Sequence, residues 1–74
     1  MKDSLLATMT IWVNGNKREV PQGITAEELI EQFKLRKKSV VFELNHKVLD
    51  RESFAAIRLK ENDTVELVHF VGGG

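Results

Sequence analysis

The chemical group that stands out in this sequence is the C-terminal carboxylate, because three consecutive glycines precede it. Gly72, Gly73 and Gly74 follow an apolar run directly. A residue without a Cβ can pass through a slot that is too narrow for any side chain, and three extended residues reach about 10 Å. The pattern predicts a flexible tail over 72–74 that carries the C-terminal carboxylate at its tip, where other proteins could modify it. An inert flexible end is the competing interpretation.

The other titratable side chains form no recognisable catalytic or metal-binding set. The sequence has no Cys, which excludes disulfides, thiolate nucleophiles and Cys-based metal sites. His46 and His69 lie far apart in the sequence and do not make a ligand set. Two charged clusters are interpreted as the exposed acidic start and the basic end of one helix: Glu27, Glu28 and Glu31, and Lys34, Arg36, Lys37 and Lys38. We therefore expect no catalytic residue, no bound metal or cofactor, and a protein that is not itself an enzyme.

The composition is that of one small globular domain. The chain has 74 residues, of which 42% are hydrophobic, and 11 Lys plus Arg balance 11 Asp plus Glu. A net charge of zero argues against binding to a nucleic-acid backbone, which favours a basic excess. No apolar run approaches the length of a membrane span or of a signal-peptide core. We therefore expect a cytoplasmic protein that binds neither nucleic acid nor a membrane.

The N-terminal part of the sequence predicts a β-hairpin. Residues 1–8 show no periodicity and are expected to form a loose arm. Over 9–13 apolar and polar residues alternate, as in a strand, and Asn14-Gly15 favours a type I′ turn. The returning strand is predicted over 17–20, and Pro21 ends it.

The clearest element in the sequence is an amphipathic helix, predicted over 26–35. Thr25 and Glu28 fit a capping box, in which each side chain accepts a hydrogen bond from the backbone of the other residue. Ile24 and Leu29 are spaced to form a hydrophobic staple across the entry to the helix. Apolar residues recur along one face: Ala26, Leu29, Ile30 and Phe33.

The second half of the chain predicts three further strands. Two of them cover 39–44 and 47–49 and are joined by a turn at Asn45-His46. Asp50 is expected to cap a short helical turn over 52–56, with Phe54 and Ile57 packing inward. The last and longest strand is predicted over 64–71.

These elements predict an α+β fold. One amphipathic helix requires a sheet face to cover it, and a central position for the last strand, beside the first, leaves no long apolar edge. This arrangement is the β-grasp, or ubiquitin-like, fold: a mixed four- or five-stranded sheet packed on one main helix. The β-grasp domain is predicted over 9–71, between the arm at 1–8 and the tail at 72–74.

A second candidate site is the outer face of the sheet, away from the helix. Alternation in the strands places four large apolar side chains on this face: Trp12, Val41, Val68 and Phe70. Exposed apolar patches with aromatic residues are typical of partner-binding surfaces. We therefore predict that these four residues form a partner-docking patch.

Residues 9–74 resemble the ThiS family, the sulfur-carrier proteins of thiamine biosynthesis. The resemblance rests on the order of five segments: Ile11-Trp12-Val13-Asn14-Gly15, Ile24-Thr25-Ala26-Glu27-Glu28-Leu29, Val40-Val41-Phe42-Glu43-Leu44-Asn45, Asn62-Asp63-Thr64-Val65-Glu66-Leu67-Val68 and His69-Phe70-Val71-Gly72-Gly73-Gly74. Two features depart from the family pattern. The third terminal glycine leaves the register of Gly72 open, because the family requires only Gly-Gly, and the arm at 1–8 is extra.

The resemblance implies a carrier whose Gly74 carboxylate is modified. In this family a ThiF-type (E1-like) adenylating enzyme uses ATP and magnesium to convert the terminal carboxylate into an acyl-adenylate. Sulfur from a cysteine-derived persulfide relay then replaces AMP to give a thiocarboxylate, and a ThiG-type thiazole synthase takes that sulfur. Gly72 and Gly73 are expected to thread the active sites of these partners.

Three alternatives are compatible with the residues alone. The small subunit of molybdopterin synthase resembles this fold and also ends in Gly-Gly. A ubiquitin-like modifier uses its terminal glycine to form an isopeptide bond with a lysine of a target protein. A plain interaction module would have an inert glycine end.

Overall fold

The computed structural model describes residues 7–70 of the chain. The glycine tail predicted over 72–74, Val71 and most of the predicted arm lie outside these residues. The strands are β1 (Thr8–Val13), β2 (Asn16–Pro21), β3 (Val40–Leu44), β4 (Lys47–Val48) and β5 (Thr64–His69), and the α-helix of the described part, α1, spans Ala26–Gln32. The strands form one sheet in the order β2-β1-β5-β3-β4.

The first two strands form the predicted hairpin. β1 and β2 pair antiparallel, with Val13 opposite Asn16. The turn residues Asn14 and Gly15 have φ values of 51° and 84°, as a type I′ turn requires. β1 begins at Thr8, inside the predicted arm. Pro21 is the last residue of β2, and an edge strand is where a sheet tolerates proline.

The capping box predicted at the start of α1 is confirmed. The Glu28 N–H donates to Thr25 Oγ1 over 3.1 Å, and the Thr25 N–H donates to Glu28 Oε1 over 3.0 Å. Ile24 and Leu29, the predicted staple residues, are both buried. The helix therefore begins where its sequence indicates.

The predicted end of the helix at residue 35 is wrong, because α1 ends at Gln32. Lys34 has a φ of 58°, which is a left-handed conformation that stops the helix. The Lys34 N–H donates to Glu31 O over 2.9 Å and the Leu35 N–H donates to Ile30 O over 3.1 Å, the two bonds of a Schellman motif. The basic cluster that begins at Lys34 therefore lies beyond the last turn, and its interpretation as the basic end of the helix is wrong.

The connections on either side of β3 and β4 are built from short 3₁₀ helices. One spans Lys37–Ser39, before β3, and was not predicted. The other spans Arg51–Ser53 rather than 52–56, and the side chain of Asp50 forms no capping hydrogen bond. The prediction that Asp50 caps this turn is therefore wrong. Phe54 packs inward as predicted, whereas Ile57 is only half-buried.

The core lies between α1 and the inner face of the sheet. Fourteen apolar side chains are buried there: Met9, Ile11, Val13, Val20, Ile24, Ala26, Leu29, Ile30, Val40, Phe42, Phe54, Leu59, Val65 and Leu67. The rings of Phe42 and Phe54 pack with their centroids 5.7 Å apart. This one core confirms the expected packing of a sheet on a single helix.

The last strand has the predicted central position. β5 pairs with β1 in parallel, with Trp12 opposite Thr64, and pairs with β3 antiparallel. Within residues 7–70 we find no helix that is long and apolar enough to cross a membrane. The mixed sheet under one helix is thus the predicted α+β, β-grasp architecture, with five strands.

Candidate functional site

The candidate site is the end of the sheet at which β5 finishes. After β5 ends at His69, the Phe70 N–H donates to Ser39 O over 2.8 Å, which keeps the chain beside the start of β3. Four residues follow Phe70 in the sequence, and the last three are the glycines. The predicted tail itself lies outside the described residues.

Three of the four predicted docking residues lie together at this end, on the outer face of the sheet. Val41 and Val68 are direct cross-strand partners. Phe70 follows two residues after Val68 and is 56% exposed, while Val68 is 49% exposed. We call Val41, Val68 and Phe70 the tail-end patch. Its docking role stays a prediction.

Trp12, the fourth predicted docking residue, lies elsewhere on the same face. It is 39% exposed and stands opposite Thr64. Thr64 precedes Val68 by four residues, which is about 13 Å along a strand. The parallel register of β1 and β5 therefore separates Trp12 from the tail-end patch.

Two carboxylates lie on the outer face between Trp12 and the tail-end patch. Glu43 of β3 and Glu66 of β5 are direct cross-strand partners, and like charges in that position destabilise a sheet. Val48 of β4 stands opposite Glu43 and is 66% exposed. Sequence reasoning missed this group. A two-residue turn at Asn45-His46 pairs Val48 with Glu43, which the alternation of β3 places on the outer face. This pairing would have predicted that Val48 lies on the same face.

The side chain of Asn14 forms a contact that sequence reasoning also missed. The Leu67 N–H donates to Asn14 Oδ1 over 2.8 Å, and Asn14 Nδ2 donates to Leu67 O over 3.3 Å. The side-chain amide thus continues the hydrogen bonding between β1 and β5 by one position. Asn14 has this role in addition to its predicted role in the turn.

Three of the remaining charged candidates form structural contacts. Glu28 is used in the capping box, and Lys37 Nζ lies 3.4 Å from Glu27 Oε2 in an exposed ion pair. The Arg18 guanidinium lies 4.4 Å from the centroid of the Phe33 ring. His46 and His69 are both exposed. Across residues 7–70, no group of three or more His, Asp or Glu side chains is arranged to hold a metal ion.

An open cavity of about 570 Å³ lies at the opposite end of the molecule, beside the start of α1. Pro21, Gly23, Glu28 and Arg58 are among its lining residues. Arg58 Nη1 donates to Gly23 O over 2.7 Å, so this guanidinium holds the loop before α1. The cavity is therefore remote from the end of β5.

Comparisons with known proteins show to which family the chain belongs. The sequence model of the ThiS family matches residues 10–74, a range that includes the three terminal glycines. The chain belongs to the ThiS family. A solved relative, the thiamine biosynthesis protein ThiS of Geobacter metallireducens, is 38% identical with a TM-score of 0.76, over 89% of this chain and all (100%) of that one. The β-grasp fold of this ThiS-family chain is thereby confirmed.

Two curated relatives extend the comparison. The sulfur carrier protein ThiS of Bacillus subtilis is 36% identical over 50 residues, which cover 68% of this chain and 76% of that protein. A thiazole synthase of Magnetococcus marinus is 36% identical over 66 residues, which cover 89% of this chain. The match spans only 20% of that protein. That thiazole synthase therefore contains a segment similar to this ThiS-family chain within a longer polypeptide.

Proposed function

We propose that this chain carries sulfur for the synthesis of the thiazole ring of thiamine, and that the sulfur is held at the C-terminal carboxyl group of Gly74. The observation that carries the proposal is the family match, which continues through the central strand β5 to the last glycine. The strand is paired on both sides, with β1 and with β3. In the sequence the tail thus follows a strand that the sheet holds on both sides.

The proposed chemistry follows from the poor reactivity of a carboxylate. A partner adenylating enzyme transfers AMP from ATP, with magnesium, to the Gly74 carboxylate, and pyrophosphate leaves. The acyl-adenylate is an electrophile with a good leaving group. The outer sulfur of a cysteine-derived persulfide on the relay then attacks the acyl-adenylate and displaces AMP, which gives an acyl disulfide. A second thiol, from the relay or from added cysteine, cleaves the S–S bond of this intermediate and is oxidised to a disulfide, and the product is a terminal thiocarboxylate.

The absence of cysteine from the sequence is consistent with this assignment. A side-chain thiol is the usual protein group that carries sulfur as a persulfide or disulfide, and this chain has none. The terminal carboxyl group remains as the place where a sulfur atom can be attached by acyl transfer. Gly72 and Gly73 would allow that group to enter the active sites of two enzymes in turn, because neither has a side chain to obstruct the channel.

The proposed partners are the adenylating enzyme and thiazole synthase. Support for thiazole synthase comes from the Magnetococcus marinus relative, in which a similar segment and a thiazole synthase share one chain. The tail-end patch and Trp12 are proposed to dock these enzymes, since exposed apolar and aromatic residues are typical anchors at interfaces. In this scheme the protein is a carrier and co-substrate, and the enzymes supply all catalytic groups.

Mass spectrometry after a loading reaction tests the proposal. The intact chain is incubated with a ThiF-type adenylating enzyme, ATP, magnesium, a cysteine desulfurase and cysteine. We expect a mass gain equal to the exchange of one oxygen for sulfur, located by fragmentation at Gly74. A reaction without ATP is the control. A sulfur atom at any other residue, or none at all, contradicts the proposal, and an isopeptide adduct on a lysine would indicate a protein modifier instead.

A further inference from the structure

At its C-terminal end, the central strand β5 has backbone N–H and C=O groups on the side towards β1 that form no hydrogen bond within the sheet formed by the described residues. Its odd-numbered residues direct their N–H and C=O groups towards β1, because the Trp12 N–H donates to Asp63 O over 2.9 Å and the Asn14 N–H donates to Val65 O over 2.8 Å. Leu67, the next odd residue, is paired with the Asn14 side chain. Towards β1, hydrogen bonding of β5 therefore extends as far as Leu67.

His69 is the next residue in this series. β1 ends at Val13 and the chain turns back into β2, so β1 does not continue beside His69. The Phe70 N–H, by contrast, faces β3 and donates to Ser39 O over 2.8 Å. No hydrogen bond among residues 7–70 uses the N–H or C=O of His69. One backbone donor and one acceptor thus face outward immediately before the tail.

We propose that an extended segment of thiazole synthase adds to this edge as a strand, with its backbone hydrogen-bonded to the N–H and C=O of His69. The inference rests on the proposed function, because it requires that an enzyme binds the tail. Addition of an extended segment to an exposed sheet edge is a general mode of peptide recognition.

The length of the tail brings that enzyme to the edge. Gly74 is four residues from Phe70, so its carboxyl group lies at most about 14 Å beyond Phe70. An active site that reaches Gly74 must therefore cover the end of β5. A backbone donor or acceptor that is buried without a partner destabilises the complex, and a backbone segment of the enzyme supplies both partners at the correct spacing.

The outer edges of the sheet are less suited to such an addition. β4 has two residues, and β2 presents Lys17, Arg18 and Glu19 and ends in Pro21. Short strands, charged side chains and proline are the features with which proteins protect a sheet edge. The edge at His69 is also short, but it carries no proline, acidic residue, lysine or arginine and is flanked by the exposed side chains of Val68 and Phe70.

Amide hydrogen exchange of the whole chain, alone and with thiazole synthase from the same organism, tests the inference. We expect the His69 amide to exchange fast in the free chain and to slow at least tenfold in the complex. The Leu67 and Phe70 amides are internal controls, since both are already hydrogen-bonded in the free chain. Unchanged exchange at His69 in a formed complex overturns the inference. So does protection that appears on concentrating the chain alone, which would assign the edge to a second copy.

A pair of proline variants gives a second test. His69→Pro removes the N–H that faces outward and leaves the bonds to β3 in place. Glu19→Pro is the matched control. Glu19 is paired with Thr10 of β1, and the Thr10 carbonyl accepts a hydrogen bond from the Asn62 N–H, on the side of β1 that faces away from β2. The Glu19 amide therefore faces outward from β2, and its loss breaks no bond in the sheet.

We expect His69→Pro to weaken binding to thiazole synthase about tenfold, His69→Ala to weaken it less, and Glu19→Pro to bind like the unaltered chain. Slow exchange of the Phe70 amide verifies that each variant is folded. Equal affinities of thiazole synthase for His69→Pro and for the unaltered chain contradict the inference. In that case, sulfur loading at Gly74 would still support the proposed function. If the unaltered chain neither loads nor binds, both fail.

Discussion

The side-chain amide of Asn14 forms a pair of hydrogen bonds with the backbone of Leu67, 53 residues later in the sequence. Leu67 belongs to β5 and Asn14 lies in the turn that ends β1. The pair therefore joins the N-terminal hairpin to the strand that precedes the tail. It also marks the last position at which β5 is hydrogen-bonded towards β1.

Substitution of Asn14 by glycine should destabilise the domain. Glycine accepts the φ of 51° at this position without strain, so the folded chain loses only the two hydrogen bonds, each of which contributes about 0.5–1.5 kcal/mol. The greater freedom of glycine in the unfolded chain destabilises the domain further. We expect the free energy of unfolding in urea to fall by about 1–3 kcal/mol. Asn14→Asp keeps the acceptor but sets a carboxylate oxygen against Leu67 O, so it should be no more stable than the glycine variant. An Asn14→Gly chain as stable as the unaltered one would contradict the role of this pair.

Removal of one charge from the outer face should stabilise the domain. Glu43 and Glu66 are direct cross-strand partners, and opposed like charges cost about 0.2–1 kcal/mol. Glu66→Gln is therefore expected to raise the free energy of unfolding by that amount at low ionic strength, with a smaller gain in high salt. Glu31→Gln, an exposed position on α1, is the control. If both variants unfold at the same urea concentration, the repulsion is negligible.

A charge at the tail-end patch should weaken binding of thiazole synthase. Phe70 is 56% exposed, so Phe70→Asp costs little folding energy but places a carboxylate in the proposed interface. Loss of an aromatic anchor costs about 2 kcal/mol or more, equivalent to about 30-fold in affinity. Ala55→Asp is the control, since Ala55 is exposed in a turn outside the sheet. Titration calorimetry that gives the same affinity for both variants would exclude Phe70 from the interface.

A side chain in the tail should block sulfur loading without unfolding the domain. Gly73 follows the described domain in the sequence, so a bulky residue there is expected to leave the unfolding transition unchanged. We expect Gly73→Leu to abolish thiocarboxylate formation and Gly73→Ala to reduce it less, because the partner channel is proposed to admit only backbone. The loaded fraction is measured by intact mass. Normal loading of the leucine variant would refute the narrow-channel explanation.

Local signals in the sequence were sufficient for the elements whose chemistry is local. The capping box at Thr25 and Glu28 and the turn at Asn14-Gly15 were both predicted, because each requires particular residue types at fixed spacing. The end of α1 was not predicted, since Lys34 adopts a positive φ that is uncommon for lysine. The apolar periodicity of the helix continues as far as Phe33, one residue beyond the observed end of α1, so it gave no indication of the stop.

Non-local pairing limited what could be predicted about the candidate site. Alternation placed Trp12 and Val68 on the same face, but the parallel register that sets Trp12 opposite Thr64 depends on the packing of the whole sheet. The same register leaves His69 beyond the end of β1. Cross-strand pairing also brings Glu43 and Glu66 together. These relationships join distant parts of the chain and have no local sequence signature.

The most direct measurement concerns the terminal carboxyl group itself. The chain is prepared by ligation with either a free carboxylate or an amide at Gly74, and each form is supplied with the adenylating enzyme, ATP, magnesium, a sulfur source, thiazole synthase and the substrates from which that enzyme takes the carbon and nitrogen atoms of the ring. We expect thiazole product from the free-acid form and none from the amide, with the same unfolding transition for both. Equal amounts of product from the two forms would contradict the assignment of Gly74 as the sulfur-carrying residue.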